Sequence, residues 1–170
     1  MQPGGGTLFL QSAEPPRRTF AAQALRPLDD ARTDSPDLEQ LCERVKRLEK
    51  AADIATLSRI INAGQSCIAA KRIIIEAPVY DKFVGMLKER LSKLTVGDPS
   101  KAETDIGPIA REDLRENLHR QVARTIEEGA ECLLGGELPE GPGYFYPVTL
   151  LAGVTTKMCA FNEETFGPVM

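Results

Sequence analysis

One segment of this 170-residue sequence has the residue types for covalent chemistry: Asn62-Ala63-Gly64-Gln65-Ser66-Cys67. A thiol follows a Gly-Gln turn, between a helical pattern and a β-branched run. Gly64 frees the backbone to bend, so that the sulfur can sit on a loop facing a cleft. A thiol placed there can attack a carbonyl carbon, and a nearby backbone N–H can stabilise the oxyanion that forms. The residues alone also fit a plainer reading, in which Cys67 is a small buried residue of the core. A second group lies near the C-terminus. The carboxylates of Glu163 and Glu164 could accept from hydroxyl groups, and the ring of Phe166 could limit where a flat ligand rests. The same residues also read as a solvated acidic pair and a core aromatic before a Gly-Pro turn.

The elements that would position these residues follow from periodicity. Residues 1–36 are punctuated by Gly4-Gly5-Gly6, Pro15-Pro16, Pro27 and Pro36 and carry no sustained apolar period, so they read as an irregular or disordered lead-in. Ser35 and Pro36 then suit a helix start. Leu38, Leu41, Val45, Leu48 and Ala52 follow at helical spacing, and the helix is predicted to run to about Ile61, closed by Asn62-Ala63-Gly64. Lys71 to Glu76 reads as a short buried strand. Helices are predicted over about 79–94 and 111–128, and strands over Ala130–Leu134 and Tyr144–Leu151. This order points to a layered α/β fold.

Composition narrows the function classes. Apolar residues make up 42% of the chain, enough for a packed core. A formal charge of -4 with mixed signs argues against nucleic-acid binding. No apolar run approaches a bilayer span, so no membrane association is expected. The cysteines, Cys42, Cys67, Cys132 and Cys159, form no CxxC, and His119 is the single histidine, so metal-ligand spacing is absent. Free thiols in a reducing cytoplasm are expected. Arg17, Arg18, Arg26 and Arg32 leave a mitochondrial leader as the alternative. Cys42, Cys132 and Cys159 read as structural, and His119 as a solvated surface residue.

Asn62 to Cys67, followed by Ile68-Ala69-Ala70-Lys71-Arg72, resembles the active-site segment of aldehyde dehydrogenases, most closely the succinate-semialdehyde group. Asn162-Glu163-Glu164-Thr165-Phe166-Gly167-Pro168-Val169 resembles that family's second motif. Gly97-Asp98-Pro99, Asp105-Ile106-Gly107-Pro108 and Gly143-Tyr144-Phe145-Tyr146-Pro147 fall between them in the family's order. The resemblance implies that residues 37–170 are part of the aldehyde dehydrogenase catalytic domain, a layered parallel sheet with flanking helices. It implies Cys67 as the nucleophile, forming a thiohemiacetal and then a thioester. Its own N–H would be half of the oxyanion site. It further implies Glu164 and Phe166 as cofactor-binding residues, NAD or NADP as cofactor, a small aldehyde as substrate, and homo-oligomeric assembly.

Other family features have no counterpart in the sequence. The Glu-Leu-Gly-Gly type motif that carries the general base is not found upstream; the family's usual gap lands near Thr33. The upstream asparagine of the oxyanion site and the nucleotide-binding half are likewise not recognisable, and Gly4-Gly5-Gly6 follows no strand. Ile61 occupies the place, six residues before the cysteine, where well-known succinate-semialdehyde enzymes hold the substrate carboxylate with an arginine; Arg59 stands two residues further off. A truncated chain of this kind is expected to be weakly active or inactive, and marginal or self-associating alone, with open sheet edges. A non-catalytic interaction module and a bare reactive-thiol protein are the alternative functions.

Overall fold

A computed structural model describes residues 37–170. The predicted lead-in, with Ser35 and Pro36, lies outside the described residues. Helix α1 spans Leu38–Ile60 and is capped by Asp37, whose side chain accepts from the Glu39 N–H. Its buried face is Leu48, Ala51, Ala52, Ala55, Thr56 and Arg59. Small alanines let the next helix approach closely. Leu41 and Val45 share that stripe but are exposed, because the partner helix does not reach the first turns of α1.

A 3-10 turn over Ala77–Val79, with Pro78 in its first positions, leads into α2, Tyr80–Leu91. Phe83, Leu87 and Leu91, four residues apart, form one buried row against α1. The predicted extension to residue 94 is instead a pair of turns, with Lys93 and Leu94 donating to Arg90 and Leu91. Helix α3, Glu112–Glu127, buries Leu118, Gln121, Val122 and Thr125. A short helix α4, Cys159–Asn162, packs against it; the Thr125 hydroxyl donates to Gln121 O and accepts the Ala160 N–H.

Strand β1, Glu131–Leu134, pairs antiparallel with β2, Leu150–Ala152, with a bulge between Cys132 and Leu134. Successive residues of β2 face opposite ways. Leu150 joins a core with Leu48, Phe83, Leu87 and Ile106, and Leu151 joins a second core with Ile109, Leu118, Val122, Tyr146 and Val169. Helices α1 and α2 therefore lie on one side of this strand and α3 on the other, the layered α/β arrangement that the sequence implies. Parallel bridges join Val96 to Ile106 and Thr149 to Val169, so pairing among the described residues is mixed.

Two strand expectations are corrected. Lys71–Glu76 is extended but pairs with no strand among the described residues, and Ile74 is 84% exposed. Ile73 and Ile75 still pack on the first core, so the segment keeps the two-residue alternation of a strand without the ladder. The predicted strand over Tyr144–Leu151 shortens to Leu150–Ala152. Its upstream half is committed elsewhere, with Tyr144 O accepting from Ile109 N and Thr149 N donating to Pro168 O.

Candidate active site

The turn after α1 departs from ordinary helical geometry. Asn62, Ala63 and Gly64 are all left-handed, with φ of 53°, 53° and 72°. Such a conformation costs a non-glycine residue about 1–2 kcal/mol, so the surroundings must hold it. Gln65 does much of this. Its N–H donates to Asn62 O, its amide nitrogen to Pro108 O, and its amide oxygen accepts from Ala110 N. The Asn62 side chain donates to Gln65 O. A second turn, closed by Ala69 N donating to Ser66 O at 3.1 Å, follows at once, and Cys67 and Ile68 are its central residues. Both are exposed. The thiol therefore stands out on a braced bend, as the sequence predicts, and not in the core. The Cys67 N–H donates to no group among the described residues, which leaves it available to an oxyanion.

The segment 163–168 lies directly against this bend. Arg59 makes the junction. It is fully buried, at 0% exposure, and has no carboxylate within ion-pair distance among the described residues. Its guanidinium donates to Gly64 O at 3.0 Å and Ala70 O at 3.4 Å, on either side of Cys67. It also donates to Thr165 O at 3.1 Å and to Gly167 O, on either side of Phe166. Burial pushes its pKa down to about 10, partly offset by Glu164, so it is still cationic at neutral pH. Gly64 and Gly167 meet backbone to backbone: a Cβ on Gly64 would overlap the Gly167 carbonyl.

The acidic residues of the segment are held from the same side. Lys71 donates to Glu164 Oε1 at 2.8 Å, and its charge, with those of Arg59 and Arg72, holds the Glu164 carboxyl below the usual carboxylate range. Arg72 lies over the Phe161 ring and donates to Glu163 O. Glu163 accepts from Gln121, which lowers its pKa, and the buried Cys159 thiol is pushed up by burial and by Glu163. Phe166 is half-buried, and Glu164 is exposed.

The structure thus brings the Cys67 turn together with the Glu164–Phe166 segment, 97 residues from Cys67 to Glu164 along the chain. The reading of His119 as a solvated residue is corrected: it is half-buried, with Nδ1 3.3 Å from the Tyr146 hydroxyl, because Tyr146 reaches it from the core. Cys132 and Cys159 sit within packed elements, as expected, whereas Cys42 is exposed. Among the described residues no group of three or more His, Cys, Asp or Glu could hold a metal, and no helix is long and apolar enough to cross a membrane. Sequence reading missed the structural part played by Arg59. The signal was present: Leu48, Ala52, Ala55 and Arg59 form one stripe, and a cation on the apolar face of a helix needs a destination.

Comparison with known proteins places the chain in a family. The sequence profile of the aldehyde dehydrogenase family matches residues 42–170. Over 122 residues the chain is 48% identical to a succinate semialdehyde dehydrogenase [NAD(P)+] of Escherichia coli and 45% identical to an aldehyde dehydrogenase of Paenarthrobacter nicotinovorans. Those alignments cover 72% of this chain but only 26% and 27% of the relatives. Among solved structures, lactaldehyde dehydrogenase of E. coli superposes with a TM-score of 0.70 at 41% identity, over 72% of this chain and 26% of that one. Succinate-semialdehyde dehydrogenase of Burkholderia pseudomallei gives a TM-score of 0.69 at 32% identity, over 72% of this chain and 25% of that one. The chain therefore spans about a quarter of the length of its relatives, and it belongs to the aldehyde dehydrogenase family.

Proposed function

We propose that Cys67 is the nucleophile of an NAD(P)-linked aldehyde oxidation, attacking the aldehyde carbon to form a thiohemiacetal and carrying the acyl group as a thioester until water releases the acid. One observation carries this reading: the only cysteine on an exposed, braced turn is joined through Arg59 to the segment bearing Glu164 and Phe166. The free Cys67 N–H fits an oxyanion donor.

A bound nicotinamide dinucleotide would supply the hydride acceptor. The residues fit such a group. Lys71 occupies Oε1 of Glu164 and leaves the other carboxylate oxygen to accept from ribose hydroxyls, and the partly exposed Phe166 ring offers a face for a flat heterocycle. Related proteins bear names with NADP(+) or NAD(P)+, and a 3,6-anhydro-L-galactose dehydrogenase of similar fold was solved with NAP. Succinate semialdehyde is the first substrate to test, given the names of the relatives. Ile61, where some such enzymes carry an arginine, argues that any carboxylate recognition comes from another residue. The four free thiols fit the reducing cytoplasm that we propose as its compartment.

A second reading, an interaction module that self-associates or docks on a relative, is favoured by the exposure of Leu57 at 60%, Ile61 at 46%, Ile68 at 86% and Ile74 at 84%. Incubating the chain with NAD or NADP and succinate semialdehyde separates the readings. Reduced nicotinamide above the level of Cys67→Ala supports the dehydrogenase. Selective alkylation of Cys67 without turnover supports a bare reactive-thiol protein. Neither turnover nor selectivity supports the module.

A further inference from the structure

The fork of Arg59 is symmetrical about the two chemical positions. Gly64 and Ala70 stand three residues before and after Cys67, and Thr165 and Gly167 stand one residue before and after Phe166. A methionine or leucine at this point of the α1 stripe would fill similar space without a buried charge, and a buried cation lacking a carboxylate is costly. The Arg59 Nε finds no partner among the described residues either. What an apolar side chain could not do is gather four carbonyls from two segments onto one rigid plane. Both segments need an external brace. The first holds two non-glycine residues in left-handed conformation. The second has ladder contact only beyond Gly167, where Thr149 and Leu151 pair with Pro168 and Met170.

We propose that Arg59 is a positioning residue that locks the Cys67 turn and the Thr165–Gly167 segment into a single unit, so that a displacement at Phe166 is felt at the Cys67 sulfur. The functional meaning of this coupling rests on the proposed roles of Cys67 and Phe166. The coupling itself does not. The guanidinium plane is the buried link, with the Lys71–Glu164 and Arg72–Glu163 contacts at its exposed flank: a lysine in its place keeps the charge and can reach some carbonyls, whereas a methionine reaches none.

Hydrogen exchange on the parent chain tests the coupling without any variant. The hydrogen-bonded amides of Gln65, Ala69 and Ala70 on one side, and of Val169, which donates to Gly167 O, on the other, are expected to share one opening free energy and one denaturant dependence, as members of a single cooperative unit. Independent opening of the two segments overturns the proposal, whether or not any Arg59 variant folds. The second measurement is the rate of Cys67 alkylation by iodoacetamide, resolved from the other thiols by peptide mapping. Phe166→Ala should change this rate by about threefold or more in the parent. In Arg59→Met the same substitution should have little effect, and Arg59→Lys should restore part of it. A general loosening by Arg59→Met would speed labelling but would leave the Phe166→Ala effect in place, and that result refutes the link. Failure of Cys67 to label in preference to the exposed Cys42 would sink the catalytic reading, while the exchange data would still decide the role of Arg59.

Discussion

Replacing Gly64 by alanine should be among the most damaging single-methyl additions in this protein. Gly64 has φ of 72°, and the added Cβ would overlap the carbonyl of Gly167 and press on the Arg59 guanidinium. The left-handed conformation alone costs alanine about 1–2 kcal/mol. Relief of the overlap requires the two backbones to part, which stretches the Arg59 bonds to Gly64 and Gly167. A hydrogen bond to a charged group contributes roughly 1.5–3 kcal/mol. With one such bond lost the sum, about 2.5–5 kcal/mol, is a large share of the roughly 5–15 kcal/mol that holds a domain together. Circular dichroism melts of Gly64→Ala should show a fall in Tm of around 10 °C, with Cys67 losing any preference over Cys42 in alkylation. Gly85→Ala is the internal control. Gly85 lies within α2 and a Cβ there meets nothing within 4 Å, so the variant should gain about 0.5–1 kcal/mol. If Gly64→Ala melts at the parent temperature, the backbone contact between the two segments is not as described and the joined site falls with it.

Iodoacetamide mapping should rank the thiols, with Cys67 ahead of Cys159, whose thiol is buried and pushed up by burial and Glu163; equal rates would contradict the described exposures. Lys71→Met should raise the Glu164 pKa toward the ordinary carboxylate range, with Arg59 and Arg72 still holding it partly down. In the parent, the lowered pKa means that the pair's stabilisation is complete above the ordinary glutamate range and is lost as pH falls through the lowered folded value. A carbon-detected NMR titration of Glu164 with the same midpoint in both proteins would exclude the Lys71 pairing. Phe83→Ala, at a site with 0% exposure, should cost about 3–5 kcal/mol in urea unfolding; a loss under 1 kcal/mol would mean the α1–α2 core is not packed as described. Ile74→Lys should leave the melt unchanged and reduce any self-association seen by sedimentation, because the side chain is 84% exposed; a large drop in Tm would show that Ile74 is covered.

Much of the site was legible because its determinants are local. Gly64 and Asn62 announced a left-handed turn, and the turn sets the exposure of Cys67 three residues after Gly64. Helix α3 was legible from its apolar spacing and from the glycine at φ 108° that ends it. The isoleucine run was misread as a buried strand because β propensity and apolar alternation describe a surface, not its partner; Ile73 and Ile75 found the core, but the backbone found no ladder among the described residues. The run from Tyr144 failed as a strand for a related reason: its hydrogen bonds go to Ile109 and Pro168, which no local pattern predicts. The role of Arg59 was readable only as an anomaly, since its four acceptors are main-chain carbonyls, which leave no trace in the side-chain sequence.

The amide of Gln65 has a consequence for chemical ageing. Its nitrogen faces Pro108 O and its oxygen faces Ala110 N, so the two ends are not interchangeable. Hydrolysis to glutamate would retain the acceptor at Ala110 but set two oxygens against each other at Pro108. A one-dalton lesion, silent in size and in secondary structure, would thus unpin the bend from its neighbour and let the sulfur wander.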